Sequence, residues 1–210
     1  MARHRSTRVP PHVRIHWSPE TFVFRDRAEP ILRAALSRLR LAPLVRDVTV
    51  RIDVDDFGDE AHIQWSHERP YAVTLDLDLG NFLTHDGRKV LGKVKPHHSQ
   101  ISGRRFSRRT FEGTILHELS HLRDDAVHGI DCWKIPRALR DAFNEVWNVW
   151  IDGRLRRRGH PTVTKSERRA IFRDLFGRVR GRKHVVFETL WKAERLSHQD
   201  LVRHMEALAK

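Results

Sequence analysis

The chain has 210 residues, enough for one domain with a substantial core and a small addition to it. Charged residues make up 32% and hydrophobic residues 39%, and no run of 18 apolar residues occurs, which argues against a membrane span. Cys132 is the single cysteine, so no internal disulfide forms; with an N-terminus that carries no secretory signal, the expectation is a reducing, cytoplasmic location.

The net charge of +13 is unevenly placed. Residues 1–46 hold ten Lys/Arg against three acids, residues 47–86 two against ten, residues 87–116 eight against one, and residues 153–210 sixteen against six. Basic segments bracket an acidic middle, a distribution that favours a polyanionic partner such as nucleic acid. Solvated arginine on an ordinary surface gives the same counts.

Residues 1–19 read as a basic flexible arm with Pro10, Pro11 and Pro19, containing a short strand at Val13–Trp17. Ile31, Leu32, Ala35, Leu36 and Leu39 recur at helical spacing and predict an amphipathic helix over 28–40. Val48, Val50 and Ile52 alternate with Thr49, Arg51 and Asp53, a half-buried strand over 47–53, and 61–65 is a weaker strand. Val73, Leu75, Leu77 and Leu79 alternate with Thr74, Asp76 and Asp78, giving the clearest strand, 71–79. Its acidic side suits a basic substrate segment or a charged edge strand. Gly80–Phe106 has no sustained periodicity and reads as a long loop, functional or disordered, placed to rim a site on the helix that follows.

That helix is predicted over 108–124 from Phe111, Ile115, Leu119 and Leu122. Inside it, residues 117–121 read His-Glu-Leu-Ser-His, an H-E-x-x-H box. Positions i and i+4 share one helix face, so His117 and His121 can bind one metal ion, and Glu118 can reach a water on that ion. Two imidazoles, an open position and a nearby carboxylate describe a hydrolytic zinc site. In that reading Glu118 is the general base: it takes a proton from water and hands it to the leaving nitrogen of a peptide bond. A surface helix with two solvated histidines is the simpler alternative.

Beyond a turn at His128-Gly129, a helix over 136–155 carries a wide apolar face that includes Phe143, Val146, Trp147 and Trp150. Glu145, Asn148 and Asp152 lie along one edge of it, an edge that is either solvated or lines a cleft. Gly159 and Pro161 break the chain, Thr164-Lys-Ser-Glu167 is a capping box opening a helix over 165–176, and Ser197–Asp200 opens the last helix in a similar way. The organisation expected is an arm (1–19), a metallopeptidase-like domain (20–159) and a basic three-helix appendage (160–210). Cys132 reads as core or, less simply, as a soft metal ligand.

The run from His117 through His121 and His128 to Cys132-Trp133 resembles the signature of SprT-like and WLM-type metalloproteases, over roughly residues 108–136. The order of elements resembles the zincin half-domain: an α+β fold in which a small mixed or antiparallel sheet packs on the H-E-x-x-H helix, here with a helical C-terminal extension. The resemblance implies Zn2+, a protein or peptide substrate and, for SprT-like enzymes, substrates bound to DNA. It places the third metal ligand at His128, provided that the chain bends between Arg123 and His128. A minigluzincin-like pattern, with a Glu ligand on the following helix, places it instead at Glu145. The Asn148-x-x-x-Asp152 spacing resembles a segment of some uncharacterised metallopeptidases and makes Asp152 a third candidate. A carboxylate not on the metal could orient His117 or His121. The function expected is therefore a zinc-dependent endopeptidase. The alternatives are a nucleic-acid-binding module with a structural or vestigial zinc site and no proteolysis, or a protease fold that binds without cleaving.

Overall fold

The computed structural model describes residues 13–94, 97 and 100–209. Alternating apolar residues build four strands: β1 (Arg14–Ser18), β2 (Val45–Asp53), β3 (Ala61–Trp65) and β4 (Tyr71–Asp78). They form one mixed sheet in the order β1-β2-β4-β3. β1, β2 and β4 run parallel, and β3 lies antiparallel to β4 at the edge. The register lines up Trp17, Val50, Leu75 and Ile63 in one apolar row and Ser18, Arg51, Asp76 and His62 in the next, polar row. One face of the sheet is thus apolar and buried and the other faces solvent.

The strand expected at the end of the basic arm is β1; residues 1–12 of that arm lie outside the described residues. β4 is an interior strand rather than an edge, and its acidic side is met across the sheet by Arg51, whose Nε and Nη2 donate to Asp76 at 2.6 and 2.9 Å.

Helices α1 (Arg25–Arg38) and α3 (Arg108–His128) pack together over the buried face. The span 80–106 is not the unstructured loop expected. It holds a 3-10 turn over Leu79–Phe82, helix α2 (His85–Val94) and a second 3-10 turn at Gly103–Arg105; residues 95, 96, 98 and 99 lie outside the described residues. Thr84 starts α2, its Oγ1 accepting from the Gly87 amide at 3.1 Å. Gly87 and Gly92 weaken helix propensity and interrupt the apolar pattern, so the helix is not visible as periodicity.

α4 (Arg140–Arg157) follows a 3-10 turn at Arg137–Leu139 and packs against α3 and against α5 (Lys165–Phe176), α6 (Gly181–Lys192) and α7 (His198–Ala209). Trp147 and Trp150 of α4 are both buried, and Trp150 Nε1 donates to the Ala193 carbonyl at 3.0 Å. Burying such a side chain contributes on the order of 3 kcal/mol. The C-terminal helices therefore share α4 with the sheet-bearing half. Among the described residues no helix is long and apolar enough to cross a membrane.

Candidate active site

The site is built where α3 crosses between edge strand β3 and helix α4. Ser107 caps α3, accepting from the Thr110 amide at 3.2 Å. Phe111 is buried against Phe82, ring centroids 4.7 Å apart, and Thr114 Oγ1 donates to the buried Asn81 at 3.0 Å. These contacts fix the depth and rotation of the helix one turn before the box. At the far end Trp65 of β3 donates Nε1 to Asp125 at 2.8 Å, so the edge strand is tied along the same helix.

His117, Glu118 and His121 all lie on α3 with little exposure. The two imidazole centroids are 5.3 Å apart, and the His121 ring meets the Trp147 indole edge to face at 4.4 Å. His117 Nδ1 contacts Asp152 Oδ1 at 2.8 Å and its Nε2 contacts Asn148 Oδ1 at 3.1 Å. Asn148 also lies within hydrogen-bonding reach of the His121 ring. Asp152 accepts from Thr162 Oγ1 as well, and from Arg168 Nε at 2.6 Å; Arg168 Nη1 reaches Glu145 Oε2 at 3.1 Å. The second Glu145 oxygen, Oε1, is buried without a hydrogen-bond partner among the described residues.

The titration behaviour follows from this packing. Burial alone would raise the Asp152 carboxyl, but His117 and Arg168 outweigh it and hold the group at about 2. Burial lowers the basicity of His117, and the Asp152 charge more than restores it, so its pKa is raised. His121 is pushed well below the usual range by burial and then by the neighbouring His117. Burial lifts Glu118 to about 7 against the pull of His117 and of His62 on β3. Burial likewise lifts Glu145 to about 7 against Arg168. Glu118 is thus a weaker acid than an exposed carboxyl, and burial is the cause.

The predicted residues are not all brought together. His117, Glu118 and His121 share one helix face region, and Glu145 and Asp152 approach it from α4. His128 does not. The bend that it requires is absent: α3 continues through residue 128 and stops at Gly129, whose φ of 64° and N–H hydrogen bond to the Asp125 carbonyl end the helix. Seven further residues at helical rise put His128 about 10 Å along the axis from His121, and the side chain is exposed. Cys132 is half-buried against the core, and burial raises its thiol, which disfavours the thiolate. Among the described residues no group of three or more His, Cys, Asp and Glu side chains converges on a common point.

Asn148 is visible in the sequence as part of the polar edge of α4 and of the N-x-x-x-D spacing; two further contributors are not. Thr162 and Arg168 lie beyond a Gly-Pro break, on a segment with no pattern that marks it as part of the site.

Two further concavities flank this arrangement. One, of about 740 Å³, opens on the polar sheet face and is lined by Arg51, Asp53, Asp55, Glu60, Asp76 and Asp78, together with His62, the strand residue whose charge reaches Glu118. The other, of about 470 Å³, lies between α5 and the turn into α6 and is lined by Arg169, Arg173, Arg178 and Arg180. The chain matches no protein-family model, no curated protein and no solved structure.

Proposed function

We propose that the chain is a zinc-dependent endopeptidase of zincin-like architecture, with His117 and His121 as metal ligands and Glu118 as general base. The observation that carries this reading is the Asp152–His117 contact. A carboxylate held at Nδ1 fixes the tautomer and turns the Nε2 lone pair inward, the second-partner arrangement typical of metal-binding histidine. The orphaned, buried Glu145 Oε1 also fits a cation nearby, since a buried oxygen without a donor is costly otherwise.

Zn2+ held there would supply an acidic water and polarise a carbonyl. The protein groups do the rest. Asp152 and Thr162 keep the His117 ring in place, and Trp147 limits the rotation of the His121 ring. Glu118 takes a proton from water onto its carboxylate and returns it to the leaving amide nitrogen. β3 presents an outer edge to which no described strand pairs, so an extended peptide can add to it by backbone hydrogen bonds. The acidic hollow reached through His62 favours basic residues in that peptide.

Zinc content and casein cleavage, measured for wild type and Glu118→Gln, test the reading. The variant should keep zinc and lose cleavage; equal cleavage by both proteins overturns the catalytic assignment. A nucleic-acid-binding role is favoured by one specific observation, the four-arginine groove on α5 and its following turn. It is compatible with proteolysis near nucleic acid and stands as the alternative if no cleavage occurs.

A further inference from the structure

We propose that a hollow between the start of α3 and the end of α4 binds the phosphate head of a small phosphomonoester, through Arg109, Arg156 and His160. This site is independent of the metal reading and uses none of its residues.

The hollow is small, about 160 Å³, and is lined by Arg109, Arg156, Gly159, His160 and Pro161. At about 30 Å³ for each water-sized group it has room for about five, the count of atoms in a phosphate. A sugar or base attached to that phosphate has to lie outside. Arg109 and Arg156 are exposed, so the mouth through which an ester substituent leaves is open to solvent. Among the described residues no acid lines the hollow. The arginine groove on α5 is larger, about 470 Å³, and suits a chain rather than a single group.

Two helices and a turn build the walls. Arg109 lies in the first turn of α3 and Arg156 in the last turn of α4. Gly159, with a φ of 74°, reverses the chain after α4 and brings His160 and Pro161 back toward α3. Gly113 of α3 admits the Pro161 carbonyl, since a Cβ there would lie 3.3 Å from that oxygen.

The ordinary uses of arginine at these positions are taken by other groups. An arginine near a helix C-terminus often caps the last carbonyls. Here the Arg158, Gly159 and His160 amides cap those of Arg154, Leu155 and Arg156. Ion pairing is the other use. Arg38 holds Glu112 at 2.7 Å, Arg108 stands 3.9 Å from the same carboxylate, and Arg154 and Arg157 are paired with Asp124 and Glu194. Among the described residues Arg109 and Arg156 have no ion pair and no side-chain hydrogen bond. Glu167 feels the Arg156 charge, but its carboxylate is held by the Thr164 amide at 2.6 Å.

Two unpaired guanidinium groups on one hollow repel each other. Arg38 and Arg158 add to the positive potential, and the His160 ring records it: burial and then the Arg38 charge lower its basicity more than Glu112 restores it. A neutral imidazole still presents an N–H to an anion. Guanidinium forks match the oxygens of a tetrahedral dianion, which also removes the repulsion between them. Bound there, a phosphate ties α3 to the end of α4, next to Thr162, whose hydroxyl holds Asp152.

The test titrates the full chain with inorganic phosphate, by calorimetry and by thermal unfolding, against sodium chloride at matched ionic strength. At phosphate about fivefold above its Kd, Tm should rise by about 2–4 °C over the chloride control. Arg109→Gln and Arg156→Gln should each weaken phosphate binding about tenfold or more. Arg173→Gln, in the α5 groove, should leave it within about twofold of wild type. Glycerol phosphate should bind within a few-fold of inorganic phosphate; binding of the inorganic anion alone overturns the ester and leaves free phosphate as the ligand. An equal Tm in phosphate and chloride overturns the site. So does an affinity unchanged in both Arg109→Gln and Arg156→Gln, or one lost in Arg173→Gln and retained in Arg109→Gln. Both substitutions replace exposed side chains, and the Tm of each variant in chloride checks that it is folded.

Discussion

The Arg168 guanidinium and the Asp152 carboxylate form a buried ion pair, Nε to Oδ2 at 2.6 Å, which links helix α5, through Asp152 on α4, to His117 on α3. Arg168 also holds Glu145, so one cation serves two buried carboxyls. Removing one partner of a buried pair strands the other in low dielectric, at about 3–5 kcal/mol. Arg168→Met should therefore lower the unfolding free energy by that amount in urea titrations. The Asp152 part of this stability is present above its ordinary 3.8 and fades as pH falls toward 2, so the gap between wild type and variant should narrow in acid.

Glu118 predicts the opposite pH dependence. Its carboxyl rises from an ordinary 4.5 to about 7 in the folded protein, so between those values the folded state binds more protons than the unfolded state. Stability then falls as pH rises through that window, by about 3 kcal/mol in total. In chelator-treated protein, Glu118→Gln should remove this fall and be more stable than wild type at pH 8 but not at pH 4. Parallel curves for the two proteins would show that Glu118 is not buried as an acid.

What is legible in the sequence depends on the range of each signal. The alternation in β2 and β4, the H-E-x-x-H spacing and the Thr164 capping box are local, and all three appear where their residues predict. α2 escapes because Gly87 and Gly92 interrupt its pattern, while Leu83 pairs with Phe106 to hold the ends of that segment together. The site is half legible. His117 and His121 are one helical turn apart, but Asn148, Thr162 and Arg168 arrive through tertiary packing, across separations that no periodicity records. His128 misleads because a motif carries spacing without backbone direction: the residue that can end α3, Gly129, follows it.

A second buried pair lies deeper between α3 and α4. Arg154 donates from Nη1 and Nη2 to the two oxygens of Asp124, both at 2.8 Å, and Trp147 Nε1 joins at 3.1 Å. Asp124 is fully buried. Asp124→Asn and Arg154→Met should each cost about 3–5 kcal/mol, and the double variant should cost less than their sum, since neither then leaves an unpaired charge. Zinc affinity of the folded fraction should not change in either variant, which separates this structural pair from Asp152 and Arg168.

The arginine groove makes a measurable claim through salt. Removing one cation that neutralises a phosphate should flatten the slope of log affinity against log salt by about 0.7–0.9. Arg173→Gln, Arg178→Gln and Arg180→Gln combined should reduce the slope for single-stranded DNA by about two units. Arg169 is left intact because it holds the Val179 carbonyl and His184 and stacks on Phe187. An unchanged slope would place any nucleic-acid binding elsewhere on the surface.

The α4–α6 contact depends on a missing side chain. A Cβ on Gly153 would lie 2.2 Å from the Trp191 carbonyl oxygen, a backbone atom that cannot rotate away. Helix propensity alone favours alanine over glycine by about 1 kcal/mol. Overpacking opposes it by about 1–3 kcal/mol, and a clash with fixed backbone lies at or beyond the upper end of that range. Gly153→Ala should therefore destabilise the protein on balance. Because Asp152 precedes this residue, the displacement of α4 should also be felt at His117. Thermal unfolding of Gly153→Ala gives the sign directly: a gain in stability would mean that α6 can move off α4 without penalty, and that the C-terminal helices are not needed to hold the site.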